Sequence, residues 1–258
     1  MAHIISFANQ KGGVGKSTLC LQMAFYLAEQ NKKVLVIDFD PQGNTSSRLA
    51  PKKEDGTPHF YGTATVSLFN EQCNNIQPLP CPTGIDLIYS SVNDVALSEL
   101  ESIDLQEALR PREHLAAILP NYDFVIIDCP PSLGRKLVAA LAVSTHVVCP
   151  VQLSGFAVDG VEGLLTTIFG IQRGVNPKLQ VVGIAINKMD TSVSHEKAFE
   201  QLEAAISGLM LKSIIKHRPP LDRATSEGIP VWSLGYGHVA AKEVKALLDE
   251  ILEKVNSK

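Results

Sequence analysis

The chain has 258 residues, is 45 % hydrophobic and 19 % charged, and carries a formal net charge of −4. That composition supports one α/β domain over 1–258 with a substantial core and excludes a disordered chain. The negative total argues against a general nucleic-acid binder, and no run of about 18 uninterrupted apolar residues exists to cross a bilayer.

The start, Met1-Ala2-His3-Ile4, lacks the basic region and long apolar run of a signal peptide, so the expected location is cytoplasmic. Five cysteines (Cys20, Cys73, Cys81, Cys129, Cys149) form no C-x-x-C pair. Their odd number suggests reduced thiols rather than a disulfide framework or a zinc knuckle. Charge is unevenly spread. Residues 1–172 hold 11 Lys+Arg against 17 Asp+Glu, and residues 173–258 hold 12 against 10, which leaves room for a local basic face in the last third.

In chain order, the apolar run His3 to Ala8 predicts a buried strand, and the periodic segment Leu19 to Glu29 predicts a helix. Between them stands Asn9-Gln10-Lys11-Gly12-Gly13-Val14-Gly15-Lys16-Ser17-Thr18. Strand, glycine loop and helix are the setting of a phosphate-binding loop. The glycines allow positive φ and close approach of a ligand, and successive N–H groups with the helix N-terminus bind an anion. Lys16 reaches the β- and γ-phosphates in such a loop, and the Ser17 hydroxyl ligates Mg²⁺. The standard G-x-x-x-x-G-K-[ST] pattern wants glycine where this chain has Gln10, and Lys11 is an additional lysine.

This K-G-G-x-G-K-[ST] form resembles the deviant phosphate loop of the ParA/MinD ATPase family. The resemblance implies nucleotide contacts from Gly12, Gly13, Val14, Gly15, Lys16, Ser17 and Thr18. It also implies that Lys11 reaches across a dimer interface to the partner's nucleotide.

Lys33 to Asp38 predicts a second buried strand, ending in Asp38-Phe39-Asp40-Pro41-Gln42-Gly43-Asn44. Carboxylates at the carboxyl end of a parallel strand lie where open α/β sheets bind ligands, and alternation around Phe39 lets both face the phosphates. The D-x-D-P-Q-G-N run resembles the ParA branch, which implies that Asp40 activates the attacking water and Asp38 supports the metal shell. A bland alternative is that the carboxylates cap the next helix.

Residues 51–84 are rich in turn formers and predict an irregular excursion with one short helix near Thr65–Asn70. Ile85 to Tyr89 predicts a strand and Val92 to Leu109 one helix. Tyr122 to Asp128 predicts a strand of Walker B form, with Asp128 holding Mg²⁺ through water. Cys129-Pro130-Pro131-Ser132-Leu133-Gly134 resembles the family's second switch. Thr145 to Val151 predicts a strand and Val158 to Gln172 a helix. Family members often carry Glu two residues after the glutamine of P-x-Q, where this chain has Ser154.

Gln180 to Asn187 predicts a strand that opens Asn187-Lys188-Met189-Asp190. N-K-x-D specifies guanine in GTPases; the deviant loop points to ATP instead, and the family resemblance implies that Asn187 meets the adenine. Leu211 to Lys216 predicts the last strand, followed by a segment resembling the family's I-x-x-R-x-x-L-x-x-A. By resemblance, Lys212, Lys216, Arg218 and Arg223 are candidate contacts to DNA. Val239 to Val255 predicts a terminal helix with one apolar stripe.

The order of elements implies a three-layer, doubly wound, mainly parallel sheet of the P-loop type. The resemblance, from Ile4 to about Val231, implies an ATP- and Mg²⁺-dependent partition ATPase. It implies an ATP-sandwich homodimer, non-specific DNA binding at the nucleoid, and stimulation by a ParB-like centromere-binding protein. The alternatives are a MinD-like membrane-associated ATPase, disfavoured by the mixed charges of the terminal helix, a nitrogenase iron-protein-like redox ATPase, and an ATP-dependent ligase or kinase of metabolism.

Overall fold

The computed structural model describes residues 2–153, 157–190 and 192–257; Ser154 lies outside them. Its strands are β1 (His3–Phe7), β2 (Val34–Asp38), β3 (Leu79–Pro80), β4 (Asp86–Ile88), β5 (Phe124–Asp128), β6 (His146–Val151) and β7 (Gln180–Ile186). They form a sheet in the order β3-β4-β2-β5-β1-β6-β7, parallel throughout except for β3 against β4. The short antiparallel edge β3 lies inside the predicted irregular excursion, where two residues are too few to produce a pattern.

The central strands are apolar on both faces because both faces are covered. Val34 and Val36 enter one core with Ile5, Phe7 and Ile126, while Leu35 and Ile37 enter the other with Ile4, Val125 and Ile127. The helices are α1 (Lys16–Glu29), α2 (Asn44–Leu49), α3 (Val95–Glu99), α4 (Leu105–Leu115), α5 (Arg135–Val143), α6 (Ala157–Gly174), α7 (Val193–Ile206), α8 (Pro219–Glu227) and α9 (His238–Asn256). The first core packs α1, α8 and α9 on the sheet; the second packs α5, α6 and α7 on its other face. The α9 stripe predicted from sequence is spent here: Val244, Leu247, Leu248, Ile251 and Val255 are buried. Among the described residues no helix is long and apolar enough to cross a membrane.

Two predicted elements differ. The single helix over Val92–Leu109 is instead α3, a 3-10 turn at Leu100–Ser102, and α4. Two aspartates divide it. Asp94 accepts from Leu97 N (2.8 Å) and Asp104 from Glu107 N (2.8 Å), each capping its own helix. Apolar periodicity alone misleads here, since Val95 and Leu105 are exposed.

The predicted strand Leu211–Lys216 is an extended segment joined to the sheet by isolated bridges only, Ile184 to Met210 and Met189 to Lys216. Leu211 N and Ile215 N reach the carbonyls of Ile184 and Ile186, but the intervening Lys212 N and Ser213 N both donate to the Glu250 carboxylate of α9, each at 2.8 Å. A charged acceptor on a helix thus takes the donors that a further strand would need. Glu250→Ala is therefore expected to lower stability by about 1–2 kcal/mol, because two charge-assisted bonds are lost. Urea denaturation checks this, with Glu250→Gln expected to lie between the two.

Candidate nucleotide-binding site

The site sits at the carboxyl ends of β1, β2 and β5. The chain leaves β1 with Ala8 N still bonded to Val148 O (3.0 Å). Asn9 then anchors the loop: its amide donates to Pro150 O (2.6 Å), and its Oδ1 accepts Lys11 N (2.9 Å). Gln10, in the place where the standard motif has glycine, donates to Gly160 O of α6 (3.2 Å).

Gly15 ends the loop at φ +98°, in the left-handed region that favours glycine. A Cβ there would lie 2.0 Å from Asn187 Nδ2. No side chain caps α1 and no acidic residue stands in its first turn. The uncapped N-terminus leaves N–H groups and the positive dipole end for an anion. Gly12 and Gly13 have no heavy atom within 4 Å of a notional Cβ, so that face is open. Lys16 is buried, and its Nζ donates to Lys11 O at 3.4 Å. Lys11 is exposed on the same loop, and Thr18 Oγ1 accepts from Thr225 Oγ1 of α8 (3.3 Å).

Asp38 and Asp128 are register partners across β2 and β5, and both are fully buried. Asp38 Oδ2 accepts from Ser46 N (2.9 Å) and Ser46 Oγ (2.7 Å), and its Oδ1 from Asp40 N (3.0 Å). It caps α2, whose N-cap, Gly43, offers no side chain. Asp38 therefore supports the site from below rather than facing a ligand. Asp128 Oδ2 accepts from Thr45 Oγ1 (2.7 Å), while its Oδ1 is buried without a hydrogen-bond partner. The Ser17 hydroxyl lies beside this carboxylate.

An orphaned carboxylate oxygen next to a phosphate-loop serine suits a magnesium ion, which takes oxygen ligands from one or two side chains plus phosphates and water. Thr45 and Ser46 escaped the sequence reading. Their signal was present as two hydroxyls directly after D-P-Q-G-N, but hydroxyls at a helix start read equally well as ordinary caps.

Asp40 is nearly buried, with Oδ1 bonded to Gln42 N (3.0 Å), while Phe39 between the aspartates fills the core. Burial raises the Asp40 pKa, opposed by the Gln42 N–H and by the ammonium groups of Lys16 and Lys136. Burial pushes the Asp128 carboxyl up against the pull of the Ser17 and Thr45 hydroxyls. Burial and then the Asp128 charge push Asp38 up. A raised folded-state pKa means that the folded chain binds more protons than the unfolded one. Stability then falls as pH rises through that interval, and the ionised pair is a burden at neutral pH.

Asn187 is fully buried, and its Nδ2 donates to Val14 O (2.8 Å). In this arrangement the side chain buttresses the phosphate loop, with Oδ1 unpartnered. A cleft of about 270 Å³ beside the loop is lined by Ser17, Thr18, Asn44, Arg48, Asp222 and Thr225. A larger one, about 910 Å³, lies at the amino ends of the strands around His3, Tyr122 and Asp123, remote from all of this chemistry.

The structure divides the predicted DNA contacts. Arg218, a candidate DNA contact by resemblance, pairs with Glu243 of α9 through Nε (3.2 Å) and a terminal nitrogen (2.6 Å). Arg223 pairs with Glu227 (2.6 Å) and lies over the Tyr236 ring. Lys212 and Lys216 are exposed. Cys129, the thiol that a cluster between subunits would require, is fully buried, and burial followed by the Asp128 charge pushes its pKa up. That placement argues against an iron-protein-like site.

Fold and site together define a P-loop nucleoside-triphosphate-binding protein with a deviant phosphate loop. A family model described as an AAA domain matches residues 2–181. The chain is 32 % identical over 258 residues to the chromosome-partitioning ATPase Soj of Treponema pallidum, covering 98 % of each chain. It is 32 % identical over 235 residues to the sporulation initiation inhibitor protein Soj of Bacillus subtilis, covering 90 % of each. The chain belongs to the ParA/Soj family of chromosome-partitioning ATPases.

Among solved structures, apo McdA from Cyanothece matches with a TM-score of 0.81 at 20 % identity, covering 98 % of this chain and 100 % of that one. A plasmid partition protein from Borrelia burgdorferi B31 bound to AMPPNP matches with a TM-score of 0.76 at 25 %, with the same coverages. Cobyrinic acid a,c-diamide synthase from Mycobacterium smegmatis also matches, with a TM-score of 0.74 at 23 %. At that identity it shares the fold alone.

Asp128→Asn is expected to raise the unfolding free energy by roughly 1 kcal/mol, because it removes a buried charge with a raised pKa. The same change is expected to abolish any gain in melting temperature from MgCl₂ with ATP. Thermal melts with and without those additions check both parts.

Proposed function

We propose that the chain is an ATP-switched partition ATPase that binds ATP with Mg²⁺, dimerises through it, and holds DNA until a partner stimulates hydrolysis. The observation that carries this reading is the orphaned Asp128 Oδ1 beside Ser17, at the uncapped N-terminus of α1 and near the buried Lys16. The plasmid partition protein from Borrelia burgdorferi B31, bound to AMPPNP and 25 % identical, supports the choice of nucleotide.

In this reading the loop amides of Gly12 to Thr18 and the Lys16 ammonium hold the phosphates. Ser17 and Asp128 would hold the metal, whose charge would offset that developing on the transferred phosphoryl group. Asp40, kept in place by Gln42 N, orients the attacking water. Lys11 completes the partner subunit's site, and a second copy is therefore part of the catalytic unit. Asn187 Oδ1 accepts from the adenine amino group once the loop carries nucleotide. A ParB-like centromere-binding protein stimulates turnover, and the cargo is a plasmid or chromosome at the nucleoid.

The exposed Lys212 and Lys216 carry the DNA contact, whereas Arg218 and Arg223 already spend their charge on Glu243 and Glu227. A MinD-like membrane role finds little support, since the apolar stripe of α9 is consumed by the core.

Lys16→Ala is expected to abolish ATP binding by calorimetry; unchanged affinity refutes the phosphate-loop assignment. Asp40→Ala is expected to keep ATP binding and lose turnover, trapping a dimer, whereas Lys11→Ala loses ATP-dependent dimerisation by light scattering.

DNA binding is expected to need ATP, to ignore sequence, and to fall with salt at a log–log slope of about −5 if the dimer neutralises about six phosphates. Fluorescence anisotropy on two unrelated duplexes, with ADP and with ATP at two salt concentrations, checks this. Lys212→Ala with Lys216→Ala is expected to weaken binding several-fold, and Arg218→Ala to act on stability instead. Equal binding in both nucleotide states rejects the switched clamp.

A further inference from the structure

Two loops flank the site, Asp40–Gly43 after β2 and Cys129–Gly134 after β5. They are joined by a segment that no phosphate-loop chemistry requires. It runs from Ser90 through α3 to the 3-10 turn at Leu100–Ser102. At its start, Asp94 N donates to Pro41 O (2.7 Å), and Ser90 N donates to Ser46 Oγ (2.9 Å), the hydroxyl that caps Asp38. The fit is tight: a Cβ on Gly43, at φ +63°, would lie 2.6 Å from Ser91 O.

At the other end, Glu101 Oε1 accepts from Ser132 Oγ (2.6 Å) and from Lys136 Nζ (2.8 Å). Lys136 also donates to Ser98 O (3.3 Å), and Arg135 Nε to Ile103 O (3.0 Å). The Lys136 side chain is 3 % exposed and that of Glu101 36 %, so without this carboxylate the buried ammonium keeps only the Ser98 carbonyl and the nearby Asp40 charge. A Cβ on Gly134 would lie 1.7 Å from Glu101 Oε2, so a side chain at the end of the second loop would displace the Glu101 carboxylate.

We infer that Glu101 is a positioning residue: through Ser132 and Lys136 it braces the second loop against α3, and α3 in turn braces the first loop, so that the two flanks of the site move as one unit. This inference rests on the proposed ATP-hydrolysing reading for its kinetic consequence, but not for the mechanical coupling itself. Side chains that contact phosphate belong to α1 and the glycine loop, so loss of the brace leaves nucleotide affinity intact. Orientation of the attacking water belongs to the first loop, so loss of the brace lowers turnover.

The test uses the full chain with Glu101→Gln, which keeps the side-chain shape, and Ser132→Ala, which leaves the ion pair in place. Hydrogen–deuterium exchange is read on peptides covering 38–46, 90–103 and 128–136, beside steady-state kinetics with ATP and Mg²⁺. Both variants are expected to exchange several-fold faster in 38–46, which Glu101 does not touch, as well as in 128–136. About a tenfold loss of kcat with KM within twofold is expected beside it. Faster exchange confined to 90–136, or kcat and KM worsening together, overturns the brace. If the wild-type chain hydrolyses no ATP, the proposed function fails instead, and the exchange at 38–46 still decides the coupling.

Discussion

Two carboxylates, Asp38 and Asp128, face each other across neighbouring strands in the middle of an apolar sheet, and the rest of the site is arranged around the cost of keeping them there. Each buried oxygen needs a donor or a cation. Asp38 meets this need within the protein, through Ser46 and the backbone of Asp40, and so fixes where α2 begins. Asp128 meets half of it through Thr45 and leaves one oxygen unsatisfied. An unsatisfied carboxylate oxygen in a core is a standing destabilisation, and such residues persist where a ligand supplies the missing partner. The pair thus separates support from chemistry by hydrogen bonding alone, although the two side chains stand at equivalent strand ends.

The phosphate loop is held with similar economy. Asn9 ties it to β6, Gln10 to α6 and Asn187 to the end of β7, so three different elements grip one backbone. This gripping leaves the open side of the loop, at Gly12 and Gly13, free of protein atoms. A loop anchored on one face and clear on the other presents its N–H groups in one direction, which is what an anion requires. Gln10 shows why the departure from the standard motif is tolerated: its side chain points to a neighbouring helix rather than to the ligand side.

On the surface, net charge is a poor guide to function. The C-terminal third is basic in composition, yet Arg223 and Arg218 are held by glutamates four and twenty-five residues along the chain. A bidentate arginine–carboxylate pair fastens α9 to the segment before α8 and removes that charge from the exposed field. Lysines on the same stretch stay exposed, and any electrostatic attraction for a polyanion from this stretch rests on them.

The glycine loop, the strand-end aspartates and the buried strands were legible in the sequence, because each is written in contiguous residues with a local physical reason. A two-faced buried strand is an uninterrupted apolar run, and a phosphate loop needs glycines at fixed spacing before a helix. The family followed from those same residues. What tertiary structure decided was everything that depends on a distant partner. Leu211–Lys216 has the composition of a strand, but Glu250 takes its donors. Val92–Leu109 has helical periodicity, but aspartate caps cut it. Arg218 sits in a polar, solvent-like stretch, but Glu243 reaches it from the terminal helix. Asn187 belongs to a familiar tetrapeptide, yet its amide is spent on Val14 O, 173 positions away. Local sequence specifies which groups seek partners, and only the folded chain determines which of the available partners each group meets.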